Sequence, residues 1–329
     1  MMGAATPEIM QTMRRTTGSR LLFALWLGAT GVGSVALPAS AETAVTAQQS
    51  TFATPAAAVN ALIAANRANN LRELLAVLGP ESAPLIDSGD PVADSGGRAR
   101  FVAAYDDAHR LERHRRDKVV LVVGREGWPL PIPLIRQQGA WRFDSKAGAS
   151  EILDRRIGRN ELSVIEVCRA YVVAQREFAA LRAKPGGSAE YAQHFMSATG
   201  QQNGLYWPVK PGEKESPLGP LIARARAAGY TPGAPHTEPR PYYGYYFRIL
   251  TDQGASAPGG FRNYVVDGHM TGGFALLAYP AIYGDSGVMT FIVNQDGIVY
   301  QKNFGLATSR IALQITQYDP DATWQPSPP

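Results

Sequence analysis

Gly284-Asp285-Ser286-Gly287 sets a serine among small residues, where a hydroxyl can be presented as a nucleophile. Acyl transfer would also need a histidine oriented by a carboxylate, and donors for the oxyanion. His236 and His269 lie upstream, neither in a small-residue context, and Val288 follows the motif. A tight turn between strands explains these residues with fewer requirements. Asp106, Asp107 and His109 could supply a general acid and base, although charges on a solvated helix face explain them more simply. The five histidines (His109, His114, His194, His236, His269) include no i, i+4 pair and no His-Glu-x-x-His. A dedicated metal site is therefore not expected, and no cofactor is expected either. Cys168 is the only cysteine. It falls among Val164, Val167, Tyr171 and Val172 at helical spacing and reads as a small buried hydrophobe.

The densest chemistry is aromatic. Tyr242, Tyr243, Tyr245, Tyr246 and Phe247 crowd one segment, with Tyr206, Trp207, Tyr264, Tyr279 and Tyr283 elsewhere in the same half. Strand alternation would send Tyr243, Tyr245 and Phe247 to one face and Tyr242, Tyr246 and Arg248 to the other. One set would fill a core. The other could stack a sugar, a peptide or a partner surface. Trp207, Tyr243, Tyr245, Tyr246, Tyr264 and Tyr283 are accordingly the candidate binding residues.

The elements that must position these groups read as an α+β chain. Thr54-Pro55 opens a helix running toward Asn69, and Leu71–Leu78 forms a second, stopped by Gly79-Pro80. The Gly-rich stretch Asp87–Gly97 reads as a loop and Arg98–His114 as a helix. Val119–Val123, Ile132–Arg136 and Gly139–Phe143 follow as strands of a small antiparallel sheet. Asn160 reads as the cap of a long helix to about Arg182. Pro and Gly dominate from there to Pro241, with short helices near Ala189–Met196 and Pro220–Ala228. Strands follow at Tyr242–Thr251, Tyr264–Val266, Gly273–Tyr279, Val288–Val293 and Ile298–Lys302, the last two joined by an Asn294–Gly297 hairpin turn. The division expected is a leader (1–41), a disordered segment (42–51), an N-terminal domain (52–150), a C-terminal domain (151–318) with a Pro/Gly-rich insertion (184–241), and a surface or disordered tail (319–329).

The leader has three zones. Arg14, Arg15 and Arg20 are followed by an apolar run from Leu21 to Leu37, then by Pro38-Ala39-Ser40-Ala41, which suits cleavage after Ala41. The run is too short and Gly-rich for a comfortable membrane span, so a periplasmic or secreted protein with no stable span is expected. Thr16-Thr17-Gly18 after the arginine pair favours the general secretory route. Loss of three arginines and one glutamate with residues 1–41 takes the formal charge from +4 to +2. That near-neutral balance removes most support for nucleic-acid binding.

Long ordered segments resemble the domain-of-unknown-function 2950 family of exported bacterial proteins. They are Arg155–Leu162, Gly204–Pro208, Ser216–Pro220, Tyr243–Leu250, Ala278–Ala281, Tyr283–Gly287, Met289–Asn294 and Asp296-Gly297. The resemblance spans nearly all of the chain after the leader; it implies export and assigns no activity. The long helix followed by antiparallel strands is similar to the head of type II secretion pseudopilins, except that the apolar segment here is a leader and not the start of the helix. The first half is similar in outline to the nuclear-transport-factor-two superfamily, and Gly284–Gly287 resembles the nucleophile stretch of trypsin-like proteases. Two functions are expected from these readings. The first is a non-catalytic envelope module that binds protein or glycan through the aromatic surface. The second is a small-ligand binder or enzyme with a pocket in the N-terminal half, near His109 or Asp106.

Overall fold

A computed structural model describes residues 48–183, 185, 187–231 and 239–328. The leader with its cleavage site, residues 42–47 and His236 lie outside the described residues. Thr54, in extended conformation, accepts a hydrogen bond from the Ala57 amide, and Pro55 takes the first position of helix α1 (Pro55–Arg67), where no amide is needed. Asn70 caps α2 (Leu71–Leu78). A single turn, α3 (Ala83–Ile86), follows. Asp90 then caps α4 (Pro91–Asp107).

The chain continues through strands β1 (His109–Arg115), β2 (Lys118–Val123), β3 (Trp128–Pro129), β4 (Leu134–Gln137) and β5 (Ala140–Phe143). They form an antiparallel sheet in the order β1-β2-β4-β5, with β3 also on β2. Two expectations change here. Asp87–Gly97 is not all loop, because the Asp90 side chain and Pro91 start α4 early enough to carry Gly96-Gly97 inside it. Nor is His109–Arg115 helical. It pairs with β2 from His109↔Val123 onward, so the β-branched strand beside it overrides the helix preference of its charged residues.

Helix α5 (Ser145–Arg182) runs 38 residues, about 57 Å at the ordinary rise. Its cap is Asp144, not Asn160, which sits buried in mid-helix. Close packing requires a glycine at 148, near the start of the helix. A Cβ there would come 2.6 Å from the carbonyl carbon of Pro131. The first half of α5 packs Ile152 and Leu153 on a core built from Leu62, Leu74, Leu121, Leu134, Trp141 and Phe143. The second half packs Val164, Cys168, Tyr171 and Phe178 on a separate core with Leu276, Phe291 and Val293. Cys168 is fully buried.

Beyond α5 come α6 (Gly219–Ala227), β6 (Tyr245–Leu250), β7 (Asp252–Gln253), β8 (Arg262–Asn263), β9 (Val265–Val266), β10 (His269–Met270), β11 (Ala275–Pro280), β12 (Thr290–Asn294), β13 (Tyr300–Lys302), α7 (Thr308–Gln314), β14 (Gln317–Tyr318) and β15 (Gln325–Pro326). The second large sheet is antiparallel, ordered β15-β13-β12-β11-β6. No helix forms at Ala189–Met196. Tyr191 bridges Met270 there, Met196 bridges Tyr206, and buried Gln175 of α5 exchanges hydrogen bonds of 2.8 Å with the Ala192 backbone. The tail runs over the surface: exposed β15 pairs with β13, and Trp324 packs on Phe304. The protein is an α+β fold, its described residues belong to one compact unit, and none of its described helices is long and apolar enough to cross a membrane.

Gly287 supplies a second close approach, since a Cβ on it would overlap the hydroxyl end of the fully buried Tyr245 ring. Gly287→Ala should cost about 1–3 kcal/mol through overpacking. In urea titrations, Tyr245→Phe should recover part of that loss. Fully additive effects of the two substitutions would contradict the contact.

Candidate ligand-binding site

The structure separates the six aromatic candidates. Tyr245 and Tyr264 are fully buried. The Tyr245 hydroxyl donates to the Met289 carbonyl (2.9 Å), and the Tyr264 hydroxyl reaches the Gln253 Oε1 (2.9 Å). Trp207, Tyr246 and Tyr283 are half-buried at separate places, Tyr246 with its ring 5.5 Å from Tyr279 and Tyr283 bridged to Gly287. Tyr243 lines the cavity described below. The expected alternation fails at its start, because Tyr243 (φ 52°) and Gly244 (φ 72°) are the two central residues of a tight turn before β6. Tyr242 and Tyr245 exchange backbone hydrogen bonds across it. Two successive positive φ values define the hairpin geometry that twisted strands favour, and a bulky tyrosine in one of them needs external support.

That support comes from Asp90, which is 1% exposed. Its Oδ1 accepts the Ala93 amide at 3.0 Å and caps α4. Its Oδ2 accepts the Tyr230 hydroxyl at 2.8 Å and the Gly244 amide at 2.9 Å. Tyr230 in turn accepts from the Tyr243 amide at 3.2 Å, and burial beside the Asp90 carboxylate drives the Tyr230 phenol far above its ordinary value. Mid-helix residues of α5 complete the seam. Asn160 donates to the Ser286 carbonyl at 2.8 Å, and Glu161 accepts the Val288 and Met289 amides, each at 2.9 Å. Arg156 donates to the Pro84 and Leu85 carbonyls. Ser286 is spent on its own turn, its hydroxyl accepting from the Ile282 amide and donating to the Ile282 carbonyl.

Beside this seam a cavity of about 690 Å³ opens between α4, α2, the first half of α5 and Tyr230/Tyr243. Its volume lies within the usual range for small-molecule sites, roughly 300–1,000 Å³. Leu62, Leu74, Leu78, Leu85 and Ile132 form its buried wall, and Phe101 a half-buried one. Five arginines line it against one carboxylate, Asp94. Three are engaged: Arg98 with Asn69 (2.6 Å) and the Ile86 carbonyl (2.9 Å), Arg156 as above, and Arg155 with Glu151 (2.6 Å). Arg100 and Arg159 make no ion pair or side-chain hydrogen bond among the described residues, and both are exposed, which puts them at the mouth. Burial, with Arg100 and Arg155 nearby, lowers the proton affinity of Arg159 from its ordinary value.

The other candidates do other work. Asp106 pairs with Arg67, and Asp107 with Arg125 at 2.9 Å. His109 stacks on Tyr105 at 3.8 Å, and none of these three lines the cavity. Exposed His269 meets Glu190 at 2.8 Å. Burial pushes the Cys168 thiol up to about 12, which keeps it protonated. Among the described residues no cluster of three or more His, Cys, Asp or Glu could hold a metal ion. A second hollow of about 490 Å³ lies against β6, but its Arg248 is committed to the Ala312 and Ile315 carbonyls. Sequence reasoning missed the arginines. The signal was available in Arg155-Arg156 and Arg159, which bring three cations to one stretch of helix beside Ile152.

Fold and site together describe an α+β protein with an amphiphilic cavity beside its first core. The match of residues 49–327 to the model for proteins of unknown function DUF2950 places the chain in that family. No match is found among curated proteins or among solved structures.

Burial raises the Asp94 carboxyl above its ordinary 3.8, against the pull of the Ser88 amide and hydroxyl and of Arg156 and Arg98. The native state therefore holds this proton more tightly than the unfolded chain does. The resulting stability is present below 3.8 and is lost as pH rises through the folded pKa. Denaturation midpoints from about pH 3 to 7 should show the wild type losing ground to Asp94→Asn as pH rises. Parallel curves would refute the shift.

Proposed function

We propose that this is an exported, non-catalytic envelope protein that binds a small molecule in the cavity beneath α4. The observation that carries this reading is the union of an apolar wall with an arginine mouth in a volume suited to a ligand. It favours the pocket over a docking surface for protein or glycan, because Tyr245 and Tyr264 are committed to the core. The pocket draws on both halves of the chain. Its carboxylate, Asp94, accepts from the Ser88 amide and hydroxyl, and its Tyr230 phenol donates to Asp90; among the described residues lining it, nothing pairs an available nucleophile with a base. Export rests on the three-zone leader. The helices over the first sheet support the nuclear-transport-factor-two likeness and α5 over the second supports the pseudopilin-head likeness, but neither names a ligand.

Helix α4 adds support. It is 17 residues long yet contains no fully buried residue, and Ala93, Gly97 and Phe101 form a stripe along the cavity. Helices in proteins owe most of their stability to a buried face, and an occupant would provide one.

Native mass spectrometry on mature protein purified gently from its own envelope should retain a mass of a few hundred daltons, a small-ligand range consistent with such a cavity. Gly97→Phe should abolish that mass while the fold survives. A Cβ at Gly97 meets only the end of Arg100, at 3.9 Å, and loss of a mid-helix glycine favours the helix by about 0.5–1 kcal/mol. Protein that carries nothing small, in wild type and variant alike, would overturn the reading.

A further inference from the structure

We propose that the ligand is a single-chain anionic amphiphile, with its acyl chain against Leu62, Leu74, Leu78 and Leu85 and its carboxylate or phosphate monoester head between Arg100 and Arg159. This identification rests on the binding reading above and gives it a chemical class. The placement follows from the exposure gradient. The leucines of α1, α2 and α3 are 1–8% exposed, whereas Arg100 and Arg159, which line the same cavity, are exposed to solvent.

The charge argument is one of compensation. Each inner arginine already has its acceptors. Arg98 caps the Ile86 carbonyl, and Arg156 holds the Pro84 and Leu85 carbonyls with Asp94, Asp285 and Asp87 nearby. Among the described residues the outer pair has no carboxylate partner, and burial with the charge of Arg100 nearby lowers the proton affinity of Arg159. Two uncompensated guanidiniums beside an apolar wall are a poor arrangement for an empty surface and a good one for an anion, which they can grip through paired N–H donors. A neutral apolar ligand would leave that repulsion in place. A small inorganic anion would leave the leucine wall unused. An amphiphile meets both requirements.

The mature protein, stripped of bound lipid, should be titrated calorimetrically with octanoate, decanoate, dodecanoate, dodecyl phosphate and dodecanol, all below micelle formation. Each added methylene should tighten binding by about twofold to fourfold, given at most ~0.8 kcal/mol per buried methylene. Dodecanol should bind at least about tenfold more weakly than dodecanoate, the minimum expected from losing a charge-assisted hydrogen bond worth about 1.5–3 kcal/mol. Arg100→Gln with Arg159→Gln should erase that gap without changing dodecanol affinity, and Gly97→Phe should block every ligand. The ratio of dodecanoate to dodecyl phosphate then distinguishes a free fatty acid from a phosphate-headed lipid. Equal affinity for dodecanol and dodecanoate, or affinity for inorganic phosphate with no dependence on chain length, would overturn the anionic-amphiphile class. If a neutral molecule co-purified and Gly97→Phe expelled it, the binding reading would stand while this class fell. Absence of both a retained mass and any titration signal would remove both.

Discussion

Asp90 is the interaction on which the arrangement depends. A carboxylate 1% exposed must have its charge met by donors or pay heavily for leaving water. Here the donors come from three separate places: the first turn of α4, the Tyr230 phenol and the Gly244 amide. Satisfying one side chain therefore fixes where α4 begins, where the chain after α6 returns and how the strand pair at β6 turns. Removing any of these donors leaves the other two facing an under-satisfied buried charge. The positive φ of Tyr243 is held by the same hub, which turns its ring toward the cavity and away from the β6 surface.

Helix α5 extends the constraint across both cores. Side chains on neighbouring turns face different partners. Arg156 holds the carbonyls at the end of α3, Asn160 the Ser286 carbonyl, and Glu161 the two amides before β12. Three segments by which the sequence resembles its family (Arg155–Leu162, Tyr243–Leu250 and Tyr283–Gly287) meet here. Their shared work is structural on the inner side and electrostatic on the outer side, where Arg155 and Arg159 point their charge at the cavity. Gly-Asp-Ser-Gly, the segment most suggestive of catalysis, belongs to the inner side. Its serine closes a turn, and its last glycine makes room for Tyr245.

Local signals made much of this fold legible. Thr54-Pro55 marked the start of α1 and Gly79-Pro80 the end of α2 because such signals are properties of neighbouring residues. The β-branched run at Val119–Val123 and the Asn294–Gly297 turn served equally well. Failures came where distant groups decide. His109–Arg115 is a strand only because β2 lies beside it. The first turns of α5, ahead of the cap read at Asn160, depend on Gly148, whose close neighbour is the backbone of Pro131 17 positions earlier. The site was hidden for the same reason. Its leucines, arginines and tyrosines come from α1, α2, α4, α5 and the segment before β6, so no single window of sequence contains it. Tyrosine crowding drew attention to the right segment and to Tyr243, but not to the face where Tyr243 acts.

The weakness of α4 follows from its position as the outer wall. Both of its ends are tied: the start by Asp90 and the end by ion pairs of Asp106 with Arg67 and Asp107 with Arg125. Exposed ion pairs contribute little to stability, of order 0–1 kcal/mol, so the buried Asp90 cap is the stronger of the two ties. Between the ties stand Gly96 and Gly97, where helix propensity is lowest and the helix needs outside support most. The same glycines also leave the cavity its room, because larger side chains on that stripe would fill it. The missing buried face of α4 and the room beneath it are thus two consequences of one choice of residues.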